Sequence, residues 1–347
     1  MKNFMLGLVL AAALASTSAI DAAAEREGSR HLDRMVASLR ASSSPRDQAL
    51  ATRLYTIEML SDPADKAWRG IALRKAAADA PNDRLVQWLW ATADEGGSGC
   101  NATNPCPERQ MALANLEPDN AAAWIPTGQD AWKRRDDAAL DSLLQKMSGA
   151  SYYDELFEEA VVALNKLYIR YPIPAPVTQA WTARERRQSD MVSEIDPETA
   201  GIVAAIANAA AFALPAMAAL QACDRKKNPK AAEARFEDCG RLGRMILAEG
   251  HTMWSTSMAT LVLRRSGNID HKDIALIRGQ RWRSHQAATS SSNYLSDMAG
   301  FRAYFADLES TRSELRAQEL QLQRAGIPMA PPEGWMPKDL ADLKPGG

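Results

Sequence analysis

Leu116-Glu117-Pro118-Asp119-Asn120-Ala121-Ala122-Ala123-Trp124, followed by Gly128, Ala131, Asp136, Ala139, Leu143 and Met147, is the stretch whose reading decides the fold class of this chain. Proline, aspartate and asparagine in a row favour a turn and a helix start. Proline cannot continue a helix, and the short polar side chains compete for backbone amides and so act as caps. The tryptophan follows one turn into the new helix, and small or apolar residues then recur every three or four positions, the period of a helix with one buried face. Two amphipathic helices meeting through small residues are predicted.

The same period extends outward in both directions. Leu50, Leu54, Ile57 and Leu60, with Met59 beside them, recur at a spacing of three to four residues, with Arg53 and Glu58 expected to face out, and Asp62-Pro63 ends that helix and starts the next. Helices are predicted over 63–78, 82–94, 107–116, 120–134, 136–147, 152–170 and 177–192, then over 231–249, 252–265, 270–288 and 294–324. Ser266-Gly267-Asn268 is a helix stop. Runs that alternate apolar and polar residues over strand length are nearly absent. The expected fold is all-α: stacked helical hairpins in an irregular α-solenoid, with a second helical segment tied by a disulfide.

One phrase recurs: Asp62-Pro63 with Trp68, Ala80-Pro81-Asn82-Asp83 with Trp88, Glu117-Pro118-Asp119-Asn120 with Trp124, and Tyr171-Pro172 with Trp181. A proline turn followed by a tryptophan resembles the tetratricopeptide repeat, a helix pair of about 34 residues. The likeness is best over 107–150. Pro118-Asp119-Asn120 matches the inter-repeat turn, Trp124 the tryptophan of the first helix, Gly128 its small residue, and Ala139 lies near the small position of the second helix. Thr127 stands where the family has leucine, and no closing proline occurs near Tyr152. The resemblance implies a helical-hairpin solenoid and, more loosely, peptide or protein binding on a concave face.

The chain opens with Met1-Lys2-Asn3, an uncharged apolar run from Phe4 to Leu14, and small residues up to Ala24. That pattern predicts a secretory signal peptide, cleaved after Ala19 or Ala24, and therefore a periplasmic or extracellular protein. The expected organisation is a signal peptide over 1–24, a helical-repeat-like region over 25–190, a C-terminal helical region over 191–325 and a Pro/Gly-rich tail over 326–347. Ala200 to Leu220 carries no charge over 21 residues, but 11 of them are alanine and Asn208 and Pro215 interrupt it. A buried central helix is therefore expected in preference to a membrane span, since alanine contributes little to insertion.

Hydrophobic residues make up 46% and charged residues 24% of the chain, and the net charge is -2, which speaks against a nucleic-acid partner. The charge is unevenly spread. Glu117 to Glu159 holds ten acidic against four basic residues, while Ala222 to His285 holds thirteen basic against seven acidic. The four cysteines form two local pairs, Cys100 with Cys106 and Cys223 with Cys239, each bracketing a turn. In an oxidising compartment they read as two disulfides, although four cysteines allow three pairings. Zinc fits less well, because neither pair has the close Cys-x-x-Cys spacing and no histidine lies near. Neither a metal nor a cofactor is expected.

Catalytic motifs are not evident. The chain lacks a Gly-x-Ser-x-Gly elbow, a Ser-x-x-Lys pair, a His-Glu-x-x-His helix and phosphate or dinucleotide loops. His31, His251, His271 and His285 are scattered. The carboxylates Asp154, Glu155, Glu158 and Glu159 are adjacent enough for acid-base work, but a solvated helix face accounts for them more simply. The remaining candidate is basic: Arg278, Arg281, Trp282, Arg283 and His285, beside Arg225, Lys226 and Lys227, form a set suited to an anion through bidentate hydrogen bonds and ring contact. Three functions follow. The leading one is a non-catalytic exported interaction or scaffold module of the cell envelope with a protein partner. The others are a secreted enzyme whose site is assembled from dispersed acidic and histidine residues, and a binder of an anionic small molecule or polymer.

Overall fold

The computed structural model describes residues 19–54, 63–93, 107–187, 193–211, 217–290 and 297–340. Among them the secondary structure is helical throughout, apart from one isolated bridge between Asn120 and Tyr152. In chain order the helices are α1 (Ala19–Arg40), α2 (Pro45–Leu54), α3 (Pro63–Asp79), α4 (Arg84–Ala91), α5 (Pro107–Leu116), α6 (Ile125–Arg134), α7 (Asp137–Ser148) and α8 (Phe157–Arg170). There follow α9 (Ala175–Arg186), α10 (Pro197–Ala211), α11 (Met217–Ala222), α12 (Glu233–Glu249), α13 (Met253–Ser266), α14 (His271–Ser290), α15 (Met298–Thr311) and α16 (Glu314–Arg324). The signal-peptide core and the Cys100–Cys106 pair lie outside the described residues.

The chain forms two compact units, neither of them a continuous stretch. One gathers Met1–Pro107, Leu156–Ala213 and Asn293–Phe305; the other gathers Glu108–Glu155, Leu214–Ser292 and Ala306–Gly347. In the first, α8 and α10 pack face to face. The alanines of α10 make this close approach feasible, and Gly201 lies where an added Cβ would stand 3.0 Å from the Cβ of Tyr168. Asn208 brings a polar group into this contact and donates to the Tyr168 hydroxyl at 3.1 Å and the Ala204 carbonyl at 2.8 Å. Most of the described part of the charge-free run, from Ala200 to Ala209 in α10, is buried as expected, while residues 212–216 lie outside the described residues. Among the described residues no helix is long and apolar enough to cross a membrane. In the same unit Asp83 caps α4 through the Leu85 and Val86 amides while Arg46 clasps its carboxylate with two hydrogen bonds of 2.8 Å.

In the second unit α12 packs closely against α13. Gly243 permits this, since a Cβ there would fall 2.7 Å from Leu263 Cγ. Arg235 of α12, 3% exposed, is neutralised by Asp137 at 3.0 Å and by Asp141 on α7. A buried arginine is tolerated only with such pairing. The disulfide Cys223–Cys239 joins the end of α11 to α12, with Cα atoms 5.7 Å apart and a sequence separation of 16. Arg225, expected as part of a basic surface, is instead spent on the loop that this bond closes. It pairs with Glu233, stacks over Phe236 at 4.2 Å and donates to the Ser266 carbonyl at 2.5 Å. Replacing both cysteines by serine is expected to lower the unfolding free energy by about 3 kcal/mol, the loop-entropy value for this span, measurable as a lower midpoint in denaturant titration of the otherwise unaltered chain.

Two predicted helices are corrected. The one expected over 152–170 begins only at Phe157, because Leu156 adopts the left-handed conformation at φ 56°. The one expected over 294–324 is broken into α15 and α16 at Arg312, φ 53°, where Ser313 caps the new helix by accepting from the Arg316 amide at 3.2 Å. Neither break carries glycine or proline, so the composition gave no warning. By contrast Gly267 ends α13 at φ 74°, where the sequence placed the stop.

Candidate functional site

The opening stretch supplies the foundation of a buried polar region in the second unit. Asn120 is fully buried, and its amide uses its whole hydrogen-bonding capacity. Its Oδ1 accepts from the Ala122 amide at 3.0 Å and the Asp154 amide at 2.9 Å, and its Nδ2 donates to the Asp154 carbonyl at 2.8 Å and to Glu117 Oε2 at 3.0 Å. Asn120 caps a 3-10 turn, Ala121–Trp124, that leads into α6, and the start of this turn is thereby locked to the segment after α7. Main-chain bonds from Ala121 to the Tyr152 carbonyl, 2.9 Å, and from Ser151 to the Asp119 carbonyl, 2.9 Å, complete the junction. Trp124 donates its Nε1 hydrogen to the Pro118 carbonyl at 2.9 Å, and Lys146 lies 4.5 Å above its ring.

The segment held in this way delivers Tyr153 and Glu155 to the first turn of α13. Thr252 caps that helix: its Oγ1 accepts from the Ser255 amide at 2.9 Å and donates to Glu155 Oε1, while Ser255 Oγ accepts from the Thr252 amide at 3.1 Å. Glu314, in the first turn of α16, accepts from the Met253 amide at 2.8 Å. Two carboxylates therefore serve one helix start, one through a hydroxyl and one directly. Positive partial charge at a helix N-terminus favours such an arrangement. Burial outweighs this benefit. It pushes the Glu155 carboxyl up to about 7 despite the hydrogen bonds from Thr252 and Tyr153, with Glu314 and Asp154 adding repulsion. Burial likewise pushes Glu314 up to about 7 against the Met253 amide. Glu155 Oε2 is enclosed without a hydrogen-bond partner. The Tyr153 hydroxyl is also driven up by burial and by the neighbouring Glu155 charge, and it lies 3.8 Å from Met258 Sδ.

The acidic group expected on one solvated helix face is divided. Asp154 and Glu155 precede the helix and belong to the second unit. Glu158, 3% exposed, and Glu159 lie on α8 in the first. Glu159 is bound at 2.9 Å by Arg46 and at 3.5 Å by Arg84. His251 contributes its carbonyl, which accepts from the Leu315 amide at 3.0 Å and Ser313 Oγ at 3.3 Å.

The basic set on α14 is organised by residues beyond α16. Arg278, Trp282 and His285 recur at helical spacing and lie beneath a strap formed by residues 327–340. Arg278 donates to the Trp335 carbonyl at 2.5 Å and the Pro332 carbonyl at 2.7 Å, and Trp282 Nε1 donates to the Pro328 carbonyl at 2.9 Å. The Trp335 ring meets Trp282 edge-on at 5.2 Å and lies 6.5 Å from His285. Arg283 pairs with Glu319 at 3.3 Å, and Arg281 is half-buried on the same helix. Within the Pro/Gly-rich tail, Trp335 packs on α14 and Leu340 is 1% exposed. Sequence reasoning passed over Glu314 and Trp335; Ser313-Glu314 as a cap with an acidic first turn, and a tryptophan in Pro331-Pro332-Glu333-Gly334-Trp335, were the available signals.

Among the described residues, no group of three or more His, Cys, Asp or Glu side chains is arranged to hold a metal ion. No protein-family model matches the chain, and neither a curated protein nor a solved structure is detectably similar to it.

Proposed function

We propose that this chain is an exported, non-catalytic interaction module of the cell envelope, built on repeat-like helical hairpins, that recruits a protein partner. The observation that carries the proposal is on α13. Trp254 is 45% exposed and Leu261 38% exposed, and an offset of seven positions, two helical turns, places them on one face of the helix. A large aromatic and an aliphatic side chain in water on one stripe is the composition of an interface centre, where tryptophan is enriched among the energetically dominant residues. The apolar leader at the N-terminus and the Cys223–Cys239 bond support an oxidising, exported setting.

The test is capture from crosslinked envelope fractions with the full-length chain and with Trp254→Ser. A partner is expected on the parent chain and reduced at least tenfold by the substitution, which removes exposed surface and should leave the thermal midpoint unchanged. Equal capture by both would reject the stripe as the interface, and no specific capture would reject the interaction role.

The Glu155–Glu314 pair favours one other role, acid-base chemistry, since a carboxyl poised near 7 is suited to proton transfer. Its hydrogen bonds to Thr252 and Met253 at a helix start are accounted for by capping.

A further inference from the structure

The strap over α14 is recognised mostly through its main chain. Three of the bonds that hold it, from Arg278 to the Trp335 and Pro332 carbonyls and from Trp282 to the Pro328 carbonyl, go to groups that every peptide possesses. The side chain α14 engages is the Trp335 ring, set edge-on against Trp282 and near His285. That ring is presented by a turn: the Trp335 amide donates to the Pro332 carbonyl at 3.2 Å, and Gly334, at φ 74°, occupies the left-handed position that a type II turn requires. The Pro332 carbonyl thus accepts from both the turn and Arg278. Indole N–H donation to a carbonyl of a proline-bearing segment, with aromatic rings on either side, is how aromatic grooves read such peptides.

The strap is also lightly held. Pro328, Pro332, Glu333, Gly334 and Met336 are exposed, and the chain departs from α16 through Gly326 at φ 64°. Segments with few buried side chains open at a small fraction of the global unfolding free energy.

We propose that the Arg278–Trp282–His285 face of α14 is a peptide-docking groove, filled in cis by the chain's own Pro328–Trp335 segment, and that a partner presenting a like proline turn followed by tryptophan displaces it. This deepens the interaction role with a second surface and a stated partner chemistry, and it is tested separately from the Trp254 stripe. The cis strap competes at an effective concentration on the order of millimolar, so external peptide binds the parent chain weakly.

A fluorescent synthetic peptide of residues 326–340 is titrated against the full chain and against Trp335→Ala, in which the strap has lost its anchor. At least tenfold tighter binding to Trp335→Ala is expected, abolished when Arg278→Ala is added. Equal binding to parent and variant, binding to neither, or binding that survives Arg278→Ala would overturn the proposal. Hydrogen exchange on the unaltered chain is a check independent of the variants' folding. Excess peptide must speed exchange at Ile327 to Trp335 while α14 stays protected, and no peptide-dependent change at millimolar concentration would overturn it. Peptide binding as expected alongside equal capture by the parent chain and Trp254→Ser would leave the groove standing and reject the stripe.

Discussion

Replacing Glu155 and Glu314 together by glutamine is expected to stabilise the protein by about 4 kcal/mol above pH 7 and to change little below about pH 4.5. Both carboxyls are raised from 4.5 to about 7 in the folded protein. In the window between those values the folded chain holds protons that the unfolded chain has released. Stability therefore falls as pH rises through the window and is flat beyond it. At 1.36 kcal/mol per pH unit each shift amounts to about 3 kcal/mol, and the partial solvent contact of both residues reduces this to about 2. Glutamine keeps an oxygen for the Met253 amide and for the Thr252 hydroxyl but takes no charge into the site. Urea denaturation from pH 4 to pH 8 provides the measurement. A double variant whose stability keeps the parent's slope between pH 4.5 and 7 would show that the pair does not titrate there.

Asn120→Ala is expected to cost about 4 kcal/mol and to act at a distance from its own helix start. The side chain makes four hydrogen bonds, and its loss leaves the Ala122 and Asp154 amides and the Asp154 carbonyl without it. A buried polar group stripped of its partner costs roughly 1–3 kcal/mol, and the removal of a cap about 1 kcal/mol of the total. Asn120→Asp is the informative companion. It retains the two accepted bonds but sets a buried carboxylate oxygen against the Asp154 carbonyl and Glu117 Oε2, so at neutral pH it should cost at least as much as alanine and recover as the pH falls. Because Asp154 precedes Glu155, loosening this junction is also expected to alter the pH window described above. Asn120→Ala with an unchanged unfolding free energy would remove the junction from the list of features that hold this unit.

The all-α class, most helix positions, the Cys223–Cys239 bond and the stop at Gly267 were legible in the sequence because each depends on local chemistry. A period of 3.6 residues, a cap, a glycine at positive φ and two cysteines around a turn are written within a few residues of where they act. The breaks at Leu156 and Arg312 were not legible. Leucine and arginine are ordinary helix formers, and their left-handed conformations persist only because surrounding structure holds them there. The basic cluster on α14 was visible as a set of residue types, but its cover was not. Nothing in the composition of the strap says that Pro332 and Trp335 will offer their carbonyls to an arginine 54 and 57 residues away in sequence.

For the stretch from Leu116 to Met147, sequence alone determined a turn, a cap at Asn120 and two helices with facing small residues. The tertiary structure decided what that cap is for. An asparagine at a helix start needs one acceptor oxygen; the use of its remaining oxygen lone pair and amide hydrogens depends on which chain segment lies opposite. Here that segment is 152–154, which the local bonds orient so that Glu155 reaches the start of α13. Likewise two glutamates separated by 159 positions acquire near-neutral proton affinities only by being buried at the same helix end. Periodicity is a property of neighbours in sequence, whereas desolvation is a property of neighbours in space.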